Sequence, residues 1–484
     1  MKSEDKNEIL EVQLYNSLSK KKERLKTIED CVVKMYSCGP TVYNNLHIGN
    51  LATFIRDDLL KRVLLASGYK VNHVMNITDV EDKIIRDSNL PEFTVPGDPM
   101  QSLLNLTSKF DAVFRDDIEK IGNDVSSVKF IKATESIEGM LSLIQNLLDN
   151  GLAYKAEDGI YFSIQKYIET GNEYGILQKV DLDSGRERIS NDEYEKDSAA
   201  DFVLWKAKVE GEPFWDAELK DSHGFKFNMP GRPGWHIECS AMSNQLLGTP
   251  FDIHTGGIDL KFPHHENEIA QSCGALKLKT LANVFYHMSH ILVDGRKMSK
   301  SLNNFYTLRD VEQRGFEPAA FRMLVLSGHP RSEINFTWEI LEAAQNRLKN
   351  WQATADLRWQ VVASKETQIK EVEMAKEAIL AKLVDDLNTP LALGVIEESL
   401  GMFESGFPEF GKDEMDKLLT YIKDLIGIDL FGDDISEKQK ELLNLRQKSR
   451  NEKNFEESDR IRDELKTQGI EVRDDARGQI WSRA

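Results

Sequence analysis

The stretch Y-S-C-G-P-T-V-Y-N-N-L-H-I-G-N, residues 36–50, predicts the end of a strand, a tight turn and the start of a helix. An apolar run of buried-strand type leads into it. Gly39 and Pro40 end the strand, because glycine permits unusual dihedrals and proline lacks an N–H. Apolar residues then recur at helical spacing, so His47 and Asn50 lie near a helix N-terminus, which favours phosphate. An ordinary strand–turn–helix connection fits the same residues equally well.

A second buried-strand pattern, Y-K-V-N-H-V-M-N-I-T-D at residues 69–79, follows the predicted helix. Two strands joined through a helix favour a parallel sheet that is covered by helices. Residues 98–155 are predicted to be helical, and residues 156–230, which have little periodicity, indicate an insertion. The sheet is then predicted to resume with strands in residues 231–242, 251–262 and 284–293. From about residue 315 to 430 the pattern is almost wholly helical.

The 484 residues carry a net charge of −19, which argues against a generally basic nucleic-acid binder but allows local basic patches. Four cysteines are too few for a disulfide framework in a chain of this length. No apolar run approaches membrane-spanning length, and the first residues show no apolar signal region. These features predict a cytoplasmic protein of mixed α/β class with no membrane partner.

Two residues at a predicted helix start have the spacing of paired metal ligands. His264 and Glu268 are four residues apart, so they share one face of a helix. Cys38 and Cys239 would complete a set of donors that zinc accepts in tetrahedral geometry. By spacing alone this is a weak indication, and packing roles fit the same side chains. Packing, or a supporting position beside the ligands, also fits His236, His265 and Cys273.

Two loops have the composition of nucleotide-binding segments. In H-T-G-G-I-D-L (254–260), Gly257 allows close backbone approach of a ligand, and Asp259 has oxygens that accept hydrogen bonds from ribose. The K-M-S-K-S loop carries Lys297 and Lys300, which suit a flexible clamp for triphosphate charge. Taken singly, a tight turn and a basic surface loop are the simpler interpretations.

H-I-G-N, followed about 250 residues later by K-M-S-K-S, resembles the signature pair of class I aminoacyl-tRNA synthetases. Five further segments resemble the cysteinyl-tRNA synthetase family: Y-S-C-G-P-T-V-Y, N-I-T-D-V-E-D-K-I, D-F-V-L-W-K, G-R-P-G-W-H-I-E-C-S-A-M and H-T-G-G-I-D-L-K-F-P-H-H-E-N-E. The resemblance runs in family order from about residue 29 to the C-terminus. It implies an α/β, Rossmann-like parallel-sheet catalytic domain with a connective insert, followed by an α-helical bundle and a small C-terminal module.

The resemblance also implies ATP-dependent activation of L-cysteine and its transfer to the 3′ end of tRNA(Cys), with one Zn²⁺ per chain and Mg²⁺ accompanying ATP. The zinc would bind the substrate thiol, and soft thiolate bonding would separate cysteine from serine. The family's zinc ligands match Cys38, Cys239, His264 and Glu268. Its cysteine-pocket positions match Gly39, Thr78 and Trp235. Its ATP-binding and catalytic positions match His47, Asn50, Gly257, Asp259, Lys297 and Lys300.

Three features depart from the family pattern. Asn50 stands where the signature has a second histidine, although an asparagine can still donate a hydrogen bond. Residues 215–230 are longer than the family pattern leads us to expect, which leaves the end of the insert open. The first 28 residues form an extension to which the resemblance assigns no role.

The C-terminal fifty residues differ in charge from the rest of the chain. They carry 12 basic and 11 acidic side chains, whereas the residues before them hold the whole acidic excess. This shift predicts a domain boundary near Gly432. Either a solvated helix of mixed charge or an RNA-binding surface fits the tail, with Trp481 available to stack on a base. The phosphate contacts would come from Arg446, Lys448, Arg450, Lys453, Arg460, Arg462 and Lys466.

Two other functions fit parts of the sequence. A related ligase, which joins cysteine to an amino sugar, would share the catalytic half but lack the anticodon-reading end. An inactive relative that serves as a zinc-stabilised RNA-binding protein would not need His47, Lys297 and Lys300, all of which are present.

The sequence and the resemblance together predict a monomer of seven segments. These are an N-terminal extension (1–28), the first half of the Rossmann catalytic domain (29–121), a connective insert (122–230), the second half with the zinc site (231–293), the KMSKS loop and stem-contact region (294–345), a helical bundle (346–432) and a C-terminal anticodon-binding module (433–484).

Overall fold

The computed structural model describes residues 9–180, 188–189, 201–298, 304–361, 369–407, 410–475 and 478–483. The chain divides into two compact units. The first comprises Met1–Leu308 with Arg331–Ile334, and the second comprises Arg309–Pro330 with Asn335–Ala484. Among the described residues, no helix has both the length and the apolar character needed to cross a bilayer.

The elements of the first unit are, in chain order, β1 Gln13–Asn16, β2 Lys21–Arg24, β3 Val32–Ser37, α1 Ile48–Ala66, β4 Lys70–Ile77, α2 Asp82–Ser88, α3 Pro99–Lys120, β5 Val128–Lys132, α4 Ile137–Asp149, β6 Ala153–Lys155, β7 Gly159–Phe162, α5 Ile164–Glu169, β8 Arg188–Ile189, β9 Asp201–Ala207, β10 Glu218–Lys220, β11 Lys226–Asn228, β12 Gly231–Pro233, α6 Trp235–Leu247, β13 Phe251–Gly257, α7 Glu266–Leu276, β14 Ala282–Met288, β15 Ile291–Val293 and β16 Arg296–Lys297. The elements after it are α8 Leu308–Gln313, α9 Pro318–Leu326, β17 Ile334–Phe336, α10 Trp338–Ala355, α11 Ile369–Leu383, α12 Thr389–Gly406, α13 Lys412–Ile426, α14 Glu437–Asn451, α15 Phe455–Thr467, β18 Ile470–Asp475 and β19 Gly478–Arg483.

The core of the first unit is a five-stranded sheet in the order β14-β13-β3-β4-β5. Every neighbouring pair in it is parallel. Most residues of the three central strands are buried, which is the pattern expected when helices cover both faces of a parallel sheet. The prediction of an α/β fold with a Rossmann-like parallel sheet is therefore confirmed.

The predicted strand, turn and helix of residues 36–50 form β3, its following turn and the start of α1. The side chain of His47 caps α1, because its Nδ1 accepts the N–H of Asn50 at 3.1 Å. In the turn, Gly39 is needed for packing: a Cβ there would lie 1.8 Å from the carbonyl oxygen of Asn76 on β4. The turn is thus pressed against the neighbouring strand, and no larger residue fits.

Two predicted elements are wrong. Residues 98–155 are not all helical, because Val128–Lys132 forms the edge strand of the main sheet and Ala153–Lys155 a strand of the insert. Residues 231–242 do not return to the main sheet: β12 pairs with β9 of the insert, and α6 begins at Trp235. Eight consecutive residues of α6, 236–243, are buried, so the helix shows no polar face that could reveal its period.

The N-terminal residues that are described are part of the first unit. The strands β1 and β2 form an antiparallel hairpin, and its turn lies against β14. The backbone N–H of Ser17 donates to the carbonyl of Phe285 at 2.9 Å, and the side chain of Asn16 binds both Phe285 and Asn283. This hairpin is therefore hydrogen-bonded to the edge strand β14 and is part of the fold.

The described residues between about 315 and 430 are mainly helical, as predicted, with the short strand β17 as an exception. At the C-terminal end of the second unit, α14, α15 and the β18–β19 hairpin share a small core that includes Trp481. Two of the predicted RNA contacts are wrong. Trp481 is only 5% exposed and Arg446 only 1%, and the Arg446 guanidinium binds Asp474 and Gln479 within the fold. Lys448, Lys453, Arg460, Arg462 and Lys466 are exposed.

The helix end at Gly427 and the helix interior at Gly401 predict opposite effects of alanine on stability. Gly427 has φ +68°, and an added Cβ would lie 2.5 Å from the buried guanidinium of Arg322. We expect Gly427→Ala to lower the free energy of unfolding by about 1–3 kcal/mol. Gly401 lies on an exposed turn of α12 and faces open space. Gly401→Ala should therefore raise the free energy of unfolding by roughly 0.5–1 kcal/mol. Equilibrium denaturant unfolding measures both changes, and effects of the same sign would contradict this account.

Candidate active site and metal centre

The turns that follow the central strands of the sheet surround one cleft. In an open parallel sheet, ligands bind at the carboxyl ends of the strands, where the strand order reverses. Here that point lies between β3 and β13, whose chain connections run in opposite directions across the sheet. Eight of the predicted site residues line this cleft: Cys38, Gly39, His47, Asn50, Trp235, Gly257, Asp259 and Lys297.

The four predicted metal ligands meet at one point beneath the cleft. One donor atom from each of Cys38, Cys239, His264 and Glu268 lies within 4.8 Å of all the others, and all four residues are buried. Cys38 follows β3, Cys239 lies on α6, and Glu268 lies in the first turn of α7. His264 belongs to the π-helical turn that precedes α7, and its Nε2 lies 2.8 Å from Oε1 of Glu268.

The protonation states in this cluster differ between neighbours. The hydrogen bond from Cys38 lowers the pKa of the Cys239 thiol to about 6, whereas burial raises the pKa of Cys38 well above its usual value. Burial would raise the pKa of Glu268, but His254 and His264 lower it to about 2. Burial would lower the pKa of His264, but Glu268 and Cys239 raise it to about 10, so without a metal the negative charge of the cluster is balanced by a proton on His264.

The donor set fits zinc. Two sulfurs, one imidazole nitrogen and one carboxylate oxygen are all zinc ligands, and zinc would supply positive charge in place of the proton on His264. A second group of donors, Cys38, His254, His265 and Glu268, also lies within 4.8 Å. It shares Cys38 and Glu268 with the first group, and its His254 and His265 stand in place of Cys239 and His264.

Four histidines that support the cluster complete the arrangement. His254 Nε2 binds Oε2 of Glu268 at 2.7 Å, and His265 Nε2 lies 3.3 Å from the Cys38 sulfur. His236 Nδ1 lies 2.9 Å from Nδ1 of His264, and His287 lies 2.8 Å from His265. Partners of this kind orient metal ligands. The sequence analysis did not identify His254 and His287 as site residues, because each is a single histidine in a buried strand.

The predicted cysteine-pocket residues lie around this cluster. The Trp235 indole stacks on the His264 ring, with centroids 4.2 Å apart. The hydroxyl of Thr78 lies 3.1 Å from Oε2 of Glu238, a buried carboxylate that the sequence analysis did not single out. Gly39 N–H donates to Oδ1 of Asn76 at 2.8 Å. Asn76 Nδ2 also donates to the hydroxyl of Thr78 at 3.1 Å, so Gly39 and Thr78 are linked through Asn76, whereas Trp235 contacts the donor His264 directly.

His47 and Asn50 face the cleft at the N-terminus of α1. Burial lowers the pKa of His47 to about 4, so its ring is neutral at pH 7. Since Nδ1 accepts the Asn50 N–H, the remaining proton of the neutral ring is on Nε2. His47 can therefore donate one hydrogen bond to a phosphate without carrying a charge.

The predicted nucleotide turn ends β13. A Cβ at Gly257 would lie 2.6 Å from the carboxylate of Asp259, which is half exposed and 3.9 Å from His290 Nδ1. Lys297 lies on the short strand β16, with its side chain exposed. Lys300 is outside the described residues, so its predicted role stays a prediction.

Comparison with known proteins agrees with this geometry. The profile described as tRNA synthetases class I (C) catalytic domain matches residues 24–346, and that of the Cysteinyl-tRNA ligase anticodon binding domain matches residues 432–481. The Cysteine–tRNA ligase of Leptospira interrogans serovar Lai is 40% identical, over 98% of this chain and all of the relative. That of Brachyspira hyodysenteriae is 38% identical, over 98% of this chain and 99% of the relative.

Solved structures show the same fold at low identity. An Agrobacterium radiobacter LeuRS in complex with tRNA and LeuAMS has a TM-score of 0.56 at 11% identity, covering 84% of this chain and 85% of the other. Mycobacterium tuberculosis methionyl-tRNA synthetase with methionyl-adenylate has a TM-score of 0.53 at 12% identity, covering 82% and 90%. The likeness to both confirms the class I synthetase fold. Together with the matches along the whole sequence, it shows that the chain belongs to the cysteine–tRNA ligase family of class I aminoacyl-tRNA synthetases.

Proposed function

We propose that this chain activates L-cysteine with ATP and transfers it to the 3′ end of tRNA(Cys). In the first step a carboxylate oxygen of cysteine bonds to the α-phosphorus of ATP, and pyrophosphate leaves with the electron pair of the broken P–O bond. In the second, a ribose hydroxyl of the tRNA bonds to the acyl carbon, and AMP leaves. The observation that carries the proposal is the buried Cys38, Cys239, His264 and Glu268 cluster at the edge of a cleft that also presents His47 and Gly257.

We propose that these four residues hold one zinc ion. Bound there, zinc supplies a soft Lewis-acidic centre that prefers a thiolate to a hydroxyl group, and selection of this kind can reach ~10⁴–10⁵ without an editing site. The chain's own residues shape the rest of the pocket. Gly39 allows the turn to lie against β4, and Trp235, stacked on His264, forms an apolar wall of the cleft. Thr78 lies beside the pocket, where its hydroxyl binds Glu238.

The phosphates of ATP, with their Mg²⁺, are proposed to lie at the N-terminus of α1. Neutral His47 donates through Nε2, and Asn50 contributes a side-chain amide beside the free N–H groups of the helix end. Lys297 and Lys300 would neutralise charge that develops on the leaving pyrophosphate. Gly257 and Asp259 would receive the adenosine.

We propose tRNA(Cys) as the acceptor, because the C-terminal residues match an anticodon-binding domain. The amino-sugar ligase, which would lack that end, is the less favoured function. We keep the seven predicted segments as the proposed domain division, with two changes: the strand Val128–Lys132 belongs to the catalytic sheet, and Gly231–Pro233 belongs to the insert. We further propose that the protein is a cytoplasmic monomer, as the sequence and the family resemblance predict.

Zinc content tests the metal proposal. Elemental analysis should find one zinc per chain, and Cys239→Ser should lose it together with most of the cysteine activation, because one of the two sulfurs is gone. The matched control is Cys273→Ser, which removes a buried thiol outside the donor set and should retain zinc. Active protein without zinc would contradict the proposal.

Replacement of Lys300 tests the role of the K-M-S-K-S loop. A lysine that acts mainly on the transition state changes kcat rather than KM, so Lys300→Ala should lower kcat for cysteine-dependent pyrophosphate exchange by roughly 10²–10³. The control is Lys279→Ala, an exposed lysine outside the cleft. An unchanged kcat with a large rise in the KM for cysteine would show that Lys300 has another role.

Charge removal in the tail tests the RNA-binding role. The double variant Lys448→Gln/Lys453→Gln removes two exposed charges without cutting the chain. Pyrophosphate exchange should remain, whereas charging of tRNA should weaken, and the salt dependence of tRNA affinity should become less steep by about one per lost phosphate contact. Lys120→Gln/Lys279→Gln makes the same change in net charge elsewhere and should have little effect. Equal charging by both double variants would exclude these lysines from the RNA interface.

A further inference from the structure

The weakest backbone connection of the main sheet lies beneath the cleft. β13 and β3 are paired over only three residues each, Ile253–Thr255 with Met35–Ser37. The neighbouring pairs β13–β14 and β3–β4 each extend over six residues. This short pairing joins β14 and β13 to the other three strands of the sheet. Cys38 directly follows the paired residues of β3, and Gly256 and Gly257 directly follow those of β13.

A buried chain of polar side chains crosses this pairing. The hydroxyls of Thr255 and Ser37 lie 2.7 Å apart, and the hydroxyl of Thr255 lies 2.6 Å from Oδ1 of Asp57 on α1. Ser37 Oγ is in turn 2.8 Å from Nε2 of His73 on β4. All four residues are at most 3% exposed. All three hydrogen bonds can form together when His73 donates to Ser37, Ser37 to Thr255 and Thr255 to Asp57.

The same threonine also contacts the metal-binding turn through its backbone. The carbonyl of Thr255 accepts the N–H of Cys38 at 3.2 Å, while its hydroxyl binds Ser37 and Asp57. Thr255 is followed directly by Gly256 and Gly257. One residue therefore touches the first metal donor and begins the nucleotide turn.

Helix α1 binds the sheet at two successive residues. The Asp57 carboxylate reaches β13, and the Arg56 guanidinium donates to the carbonyl of Ser289, immediately after β14. Burial raises the pKa of Asp57 to about 7, and the hydrogen bond from Thr255 opposes that rise. Helix α1, which His47 caps and which contains Asn50, is thereby held to the ends of β13 and β14. Gly257 and Ser289, at those ends, line another part of the cleft.

We propose that Thr255 and Asp57 are positioning residues for adenylate formation: their hydrogen bond, extended through Ser37, holds the cysteine side of the cleft in register with its nucleotide side. This inference rests on the proposed function. Adenylate formation needs the cysteine carboxylate aligned with the α-phosphate, and a misplacement of about 1 Å can cost on the order of 10² in rate. Neither residue touches a substrate in this arrangement; both act through the two turns.

The test is Thr255→Val, which keeps the shape of the side chain and removes its hydroxyl. We expect kcat for pyrophosphate exchange to fall by roughly 10–100-fold, with zinc content unchanged and the KM values for cysteine and ATP little altered. Thr255→Ser restores the hydroxyl and should recover most of the rate. The matched control is Thr107→Val on α3, where a buried hydroxyl binds only the carbonyl of Leu103 in its own helix; its kcat should be unchanged.

A second variant tests the partner. Asp57→Asn keeps the shape of the side chain, and the double variant Thr255→Val/Asp57→Asn should be little slower than Thr255→Val alone, because the two residues act through one hydrogen bond. A lower melting temperature with normal kcat in the folded variants would show a purely structural role and overturn the proposal. So would equal loss in Thr255→Ser and Thr255→Val. If the unaltered chain showed no cysteine-dependent exchange, the proposed function itself would fail, and that outcome is distinct from these.

Discussion

Four donor atoms from distant parts of the chain meet within 4.8 Å, in a place from which water is largely excluded, and the catalytic end of the first unit is arranged around them. Burying a thiolate and a carboxylate together is unfavourable unless positive charge and hydrogen bonds compensate them. Burial lowers the pKa of His264, but Glu268 and Cys239 raise it to about 10, so a proton there supplies part of that compensation, and His254 and His265 add contacts to Glu268 and Cys38. Zinc, in the proposed function, supplies the rest. This need explains why an acidic protein concentrates so many imidazoles at one end of a sheet.

The cleft follows from the way in which the sheet is connected. Because β3 and β13 lie side by side while their following segments depart to opposite sides, the turns after them separate and leave a space. On one side of that space is the sulfur of Cys38, and on another is the N-terminus of α1 with neutral His47. In the proposed function, the two ends of the cleft suit different substrates. The end with the soft sulfur ligands suits the thiol of cysteine, and the end with many hydrogen-bond donors suits the phosphates of a nucleoside triphosphate.

At the C-terminal end, one basic side chain stabilises the fold while most of the others are exposed to solvent. Arg446 is used inside the fold, where Asp474 and Gln479 satisfy its guanidinium, and Trp481 belongs to the core between α14, α15 and the last hairpin. A small module with few apolar residues needs its large aromatic side chain for packing. The exposed lysines and arginines of α14 and α15 remain available for a polyanion, on a chain whose overall charge of −19 would otherwise oppose it.

The sequence by itself determined the α/β class, the strand–turn–helix at residues 36–50 and the family, because these depend on local periodicity and on contiguous motifs. Only the tertiary structure decided that residues 235–247 form a helix, that Arg446 and Trp481 are buried, and that His254 and His287 support the donor cluster. It alone brought Asp57 beside Thr255 and Ser37. A periodic pattern reports which face of an element is buried, and it fails where an element is buried on every side. Which buried side chain meets which depends on strand order and register, and those are set by long-range pairing that no single segment contains.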